Sequence, residues 1–175
     1  MKVLLIALAA LILLIALAWC IGALLPREHT ATRSIVLRQS AATLFDTARD
    51  FARHAEWRRD IRAIELLPLE SPAAPVRYRE ASSHGAIVYL LREADPPHRL
   101  VTEIADDTLP FGGQWTITFA PAGDGRTRVR ITEEGFVRPA LFRFLACFVF
   151  GHTRTMEGYL RQLGEKFSES PTLEP

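Results

Sequence analysis

The sequence predicts an α+β protein: an antiparallel sheet of about six to seven strands on one long C-terminal helix, two short helices after the first strand, and an apolar helix ahead of the domain. Three observations carry this. Residues 3–25 form an unbroken uncharged run. From Ala63 to Phe136 apolar residues recur with period two between clusters of turn-forming residues. From Pro139 to Phe167 the period returns to that of a helix.

The apolar run, "VLLIALAALILLIALAWCIGALL", has 23 residues and as a helix extends roughly 34 Å, enough to cross a hydrocarbon core of about 30 Å. It reads as an anchor over residues 1–26. A cleaved secretory signal is the competing reading, since Ala16-Leu17-Ala18 has the small-x-small form. Against it, the residues that follow, "WCIGALL", are still apolar. Trp19 ahead of Cys20 does not fit a lipid-attachment box. Lys2 and the α-amine on one side oppose Arg27 and Arg33 on the other, and the expected orientation is N-terminus inside and domain outside. In a bacterium that places the domain in the periplasm. Cys147 has no partner there, so no disulfide is expected.

Residues 27–31 read as a stalk, the domain as 32–168 and residues 169–175, "ESPTLEP", as a disordered tail. The first strand, "RSIVLRQ", sets Ile35 and Leu37 on one face. Ser40 is an N-cap for a helix in which Leu44, Ala48 and Phe51 repeat, and Trp57 and Ile61 continue the stripe after a break near His54. Strands follow over Ala63 to Leu69, Val76 to Ser82, Ala86 to Ala94, Leu100 to Ala105, Gly113 to Ala120 and Thr127 to Phe136. The last two form a hairpin: Trp115, Ile117 and Phe119 alternate with polar residues, Gly123-Asp124-Gly125 turns the chain, and Val129 and Ile131 resume the alternation.

Pro139 suits the first turn of the last helix. Leu141, Leu145, Phe148, Met156, Tyr159, Leu163 and Phe167 form one stripe for the sheet. Four of the chain's ten Phe lie within Phe142 to Phe150, and Phe142, Phe144, Val149 and Phe150 fall off the stripe, so this half of the helix is apolar all round and needs cover on every side. Core packing, the rim of an internal cavity and the membrane surface are the three covers available. Gly151 marks a kink.

With Lys2 ahead of the span, 20 cations remain to balance 20 Asp and Glu, and a neutral balance argues against a nucleic-acid partner. The five His, at 29, 54, 84, 98 and 152, have no metal-ligand spacing. There is no G-x-S-x-G elbow, phosphate loop or C-x-x-C, so neither metal nor cofactor is expected.

The segments "FARHAEWRRDIRAIELL" and "TRVRITEEGFV", in this order of elements, resemble the START-related superfamily that includes polyketide cyclases and birch-allergen-like proteins and has the helix-grip fold. "ADDTLPFGGQWTITFAP" and "FRFLACFVFGHTRTMEGYLRQLGEKF" resemble a membrane-anchored bacterial group within it. The resemblance covers about Thr32 to Phe167. It implies a curved sheet wrapped around the long helix, a cavity between them for an apolar small molecule or lipid, and a single-pass protein of the bacterial inner membrane. Alternation assigns the lining to Trp115, Ile117, Phe119, Val129 and Ile131, with Tyr78, Glu80 and Tyr89 on neighbouring strands. Met156 and Phe148 extend it from the helix, and Trp57 stands near the mouth.

If alternation continues past Ile131, Glu133 also faces inward. A carboxylate in an apolar cavity has its pKa raised by desolvation, so Glu133 and Glu80 are candidate general acids or bases. Pairing with Arg79 or Arg138 is the alternative. Three functions remain: a membrane-anchored binder of a hydrophobic small molecule or lipid without catalysis; a cyclase- or dehydratase-like enzyme using a pocket carboxylate; and a ligand-free interaction module of the cell envelope whose interior is filled by Trp115, Tyr89, Met156 and Phe148.

Overall fold

A computed structural model describes residues 1–68, 71, 74–83 and 85–175; Leu69 and His84, named above in a strand and among the histidines, lie outside them. The apolar run is helix α1, Lys2–Leu24, 23 residues long and apolar enough to cross a membrane. Pro26 ends it, and the chain enters strand β1 (Glu28–Leu37) almost at once. The residues expected as a stalk are therefore mostly strand. They pair from Glu28, opposite Phe136, which satisfies backbone groups that a free linker would leave to water.

Ser40 caps α2 (Ala41–Arg49), its hydroxyl accepting from Thr43 N at 3.1 Å. A single 3-10 turn and the short α3 (His54–Trp57) follow. The strands β2 (Ile61–Leu66), β3 (Arg77–Ser82), β4 (Gly85–Asp95), β5 (Arg99–Ile104), β6 (Phe111–Pro121) and β7 (Thr127–Val137) complete one antiparallel sheet in the order β1-β7-β6-β5-β4-β3-β2. Ile61, assigned above to the helical stripe, opens β2 instead. Register shifts in β2 and β4 bend the strands they interrupt.

The last helix is divided. Helix α4 (Ala140–Leu145) passes into a π turn at Ala146–Phe150, closed by Gly151 N–H donating to Ala146 O at 3.0 Å. Gly151 then adopts φ 74°, which a residue with a Cβ rarely takes. Helix α5 (Arg154–Lys166) starts afresh, so the apolar stripe does not keep its phase across the break. Met156, Tyr159 and Leu163 are buried and Phe167 packs against the core, whereas Phe148 is 61 % exposed.

One half of the inner sheet face is filled by α2 and α5. Ile35, Leu37, Phe119, Val129 and Ile131 meet Leu44, Phe45 and Ala48 of α2 and Met156, Leu160 and Leu163 of α5. Leu163 is fully buried, and Leu163→Ala is expected to cost about 3 kcal/mol in urea denaturation. The residues expected to be a disordered tail are folded back: Ser34 N–H donates to Glu174 O and Glu174 N–H to Ser34 O, at 2.9 and 2.8 Å.

Candidate functional site

Beyond that filled half, the sheet face of β3–β7, the 3-10 turn with α3, and the segment from α4 to the first turns of α5 border a cavity of about 500 Å3, within the range of small-molecule sites. An interior filled by Trp115, Tyr89, Met156 and Phe148 does not describe this protein. The walls are mainly apolar and aromatic. Phe51 stacks on Tyr78 with ring centroids 4.1 Å apart and Tyr78 on Tyr89 at 5.4 Å, a continuous aromatic strip supplied by the 3-10 turn, β3 and β4.

At the inner end a buried charged group interrupts these walls. Arg58, just after α3, donates through Nη1 to Glu80 Oε1 at 2.7 Å and through Nη2 to Asp60 Oδ2 at 2.8 Å. Its guanidinium also lies 5.3 Å from the Tyr159 ring centroid. Burial opposes the Arg58 charge, but Glu80 and then Asp60 outweigh it and hold the guanidinium protonated above its usual range. Burial is also the largest cause raising Tyr78, Tyr89 and Tyr159, with Glu80 adding to each, so all three phenols are neutral. His54 Nε2–H donates to Ala48 O at 3.0 Å. Its other ring nitrogen, Nδ1, lies 3.9 Å from Glu80 Oε1. Among the described residues, His54 Nδ1, Arg58 Nε and Tyr159 Oη are buried without a hydrogen-bond partner. A ligand meeting them recovers desolvation worth about 1–3 kcal/mol for each.

A second polar cluster lies where the cavity reaches β7 and the helix break. His29 Nε2–H donates to Glu133 Oε1 at 2.9 Å and Trp115 Nε1–H to Glu133 Oε2 at 2.6 Å. His152 stacks on His29 with centroids 3.9 Å apart. Burial first and His29 second hold His152 below its ordinary value of 6.5, with Glu133 partly opposing. Because the folded value is depressed, acidification protonates the unfolded chain first. The protein should therefore lose stability as pH falls through about 6.5. His152→Gln is expected to flatten that part of the profile, read as melting temperature between about pH 7 and 5.

The sequence of residues 28–167 matches the model of a family described as polyketide cyclase / dehydrase and lipid transport. The chain belongs to that family. No curated protein matches the sequence. Similar solved structures include a START superfamily protein from Mycobacterium smegmatis, 15 % identical with a TM-score of 0.60, covering 80 % of this chain and 99 % of that one. A truncated norcoclaurine synthase from Thalictrum flavum has a TM-score of 0.64 at 11 % identity, covering 81 % and 94 %. The Zhui aromatase/cyclase from Streptomyces sp. R1128 has a TM-score of 0.60 at 16 % identity, covering 79 % and 93 %. At these identities the likeness is one of fold, and it is the helix-grip fold that the sequence resembles.

Of the residues assigned to the lining, Tyr78, Tyr89, Trp115 and Ile117 border the cavity, as do Glu80 and Glu133. Phe119, Val129, Ile131 and Met156 do not; they lie in the filled core. Trp57 backs Tyr159 edge-on at 5.3 Å, behind the wall, and Phe148 points away from the cavity. The expected carboxylate partners also differ: Arg79 pairs with Glu65 at 2.6 Å and Arg138 lies over Phe136. The real partners are Arg58 for Glu80, and His29 with Trp115 for Glu133. Reasoning from the sequence missed Arg58, His54 and His29. Arg58 adjoins Arg59, which stays exposed, and no periodicity separates the two; His29 fell in the segment read as stalk.

Proposed function

We propose that this family member holds one hydrophobic small molecule or lipid, without transforming it, in a domain anchored through α1 to the bacterial inner membrane and facing the periplasm. The observation that carries the reading is a cavity of about 500 Å3 whose walls are aromatic and whose inner end presents unpartnered polar atoms of Arg58, His54 and Tyr159. Apolar burial at about 25 cal/mol per Å2 supplies affinity. The inner polar end fixes orientation, favouring an amphiphile with a hydroxyl, carbonyl or carboxylate at one end. Titrating the full chain in detergent with cis-parinaric acid tests this. Saturable binding of one probe per chain is expected; fluorescence rising without saturation contradicts it.

A second reading, cyclase- or dehydratase-like proton transfer at the cluster around the pocket carboxylate Glu133, is favoured by one feature. His29 is held through Nε2 by Glu133, while its Nδ1 is buried without a partner, the arrangement of an oriented general base. Turnover of an added apolar ketone or polyketide-like substrate, abolished in His29→Asn and Glu133→Gln, would establish it. Binding that survives both substitutions without turnover keeps the carrier reading.

A further inference from the structure

The divided end of the last helix is attached to the anchor. Helix α4 lies so close to the last turn of α1 that a Cβ on Gly22 would stand 1.9 Å from Ala140 O, a contact only glycine permits. Arg143 Nε–H donates to Gly22 O at 2.8 Å and Nη1–H to Arg138 O. The one cation of α4 is thereby buried and spent on backbone carbonyls. The chain from α1 into β1 has no slack either, since Val137 N–H donates to Arg27 O at 2.8 Å. If α1 spans the bilayer, α4 and the π turn must sit at the level where α1 leaves it.

What they present there suits that level. Residues 144–151, "FLACFVFG", carry no charge. Phe142, Phe148, Val149 and Phe150 are each at least half exposed, alongside Leu24 at 89 %. Water is a costly neighbour for such a patch. The acyl boundary beside α1 is a favourable one, because aromatic side chains concentrate there. Phe142, Ala146 and Phe150 also border the cavity, so the surface turned to the lipid and the mouth share the same side chains.

We propose that the α4–π segment is seated in the bilayer surface beside α1, so that the mouth opens directly onto lipid and the ligand, an amphiphile of the membrane, enters without crossing water. The aromatic side chains left uncovered by the fold are covered by the membrane. The inference rests on reading α1 as a span and, for ligand passage, on the carrier function. The docking itself is tested independently of any ligand.

The Cys20→Ser chain keeps Cys147, exposed on the π turn, as its only thiol. A nitrobenzoxadiazole label at Cys147, in vesicles of phosphatidylethanolamine and phosphatidylglycerol, should lose fluorescence to phosphatidylcholine spin-labelled near the glycerol end of its acyl chain. A label on Cys20→Ser/Cys147→Ser/Asp124→Cys, in the turn at the far end of the β6–β7 hairpin, should not. Equal quenching at both positions, or none at Cys147, overturns the docking. Phe148→Glu/Val149→Glu, at two positions off the cavity wall, should keep the detergent affinity for cis-parinaric acid but load that probe from vesicles roughly tenfold more slowly, since interfacial seating depends on buried apolar area. An unchanged loading rate overturns direct passage. A chain quenched at Cys147 that binds no probe even in detergent overturns the carrier reading and leaves the docking supported.

Discussion

Replacing Arg58 by Met is expected to lower stability by about 3–5 kcal/mol, the cost of removing one partner of a buried ion pair. For a domain of this size that lowers the melting temperature by roughly 10 °C or more. Met supplies nearly the same volume, so lost packing is not the main term. The loss comes from Glu80, which is 8 % exposed and in the variant faces an aromatic wall without its cation; His54 Nδ1, 3.9 Å away, is too distant to replace it. Glu80→Gln in the Arg58→Met background should recover much of the loss, because a neutral amide carries no stranded charge. If the single substitution costs less than about 1 kcal/mol, the range of a solvent-exposed pair, Arg58 and Glu80 are solvated and the inner end is not a dry recognition site.

The second large effect is on binding. Thr102→Trp is expected to weaken cis-parinaric acid binding by at least roughly a hundredfold, about 2.7 kcal/mol, with little change in folding. Thr102 lies on β5 opposite Trp115, on the cavity wall. An indole there enters space that the fold leaves open instead of displacing packed side chains. In the filled half the same kind of enlargement would cost about 1–3 kcal/mol through overpacking. Retained stability with retained affinity would mean that the probe binds elsewhere, with the exposed aromatic surface of α4 as the first place to look.

Alternation along the hairpin was enough to place Trp115, Ile117, Phe119, Val129, Ile131 and Glu133 on one face, and cross-strand pairs such as Ile117–Ile131 and Trp115–Glu133 follow from that register. It could not show where packed core ends and cavity begins, because period two records only which side of the sheet a residue occupies. That boundary depends on where α2, α3 and α5 touch the sheet, and so periodicity alone places Phe119, Val129, Ile131 and Met156 in a lining they do not form. Helical periodicity had the opposite weakness. It marks the kink at Gly151 but keeps one phase across it, because a period measured over short stretches tolerates a π turn, and so it carries Phe148 inward when it faces out. Arg58 and His29 depend on contacts between segments far apart in sequence, Arg58 with Glu80 and His29 with Glu133, which no local pattern encodes.

Whether the cavity holds a hydrophobic ligand is read most directly by native mass spectrometry of the full chain purified in detergent from the cells that express it, with extraction of whatever accompanies it. A single additional mass of an apolar or amphiphilic molecule at one per chain is expected, absent from Thr102→Trp prepared in the same way. Wild-type protein that flies at its bare mass, under conditions that preserve folded Thr102→Trp equally well, would contradict it.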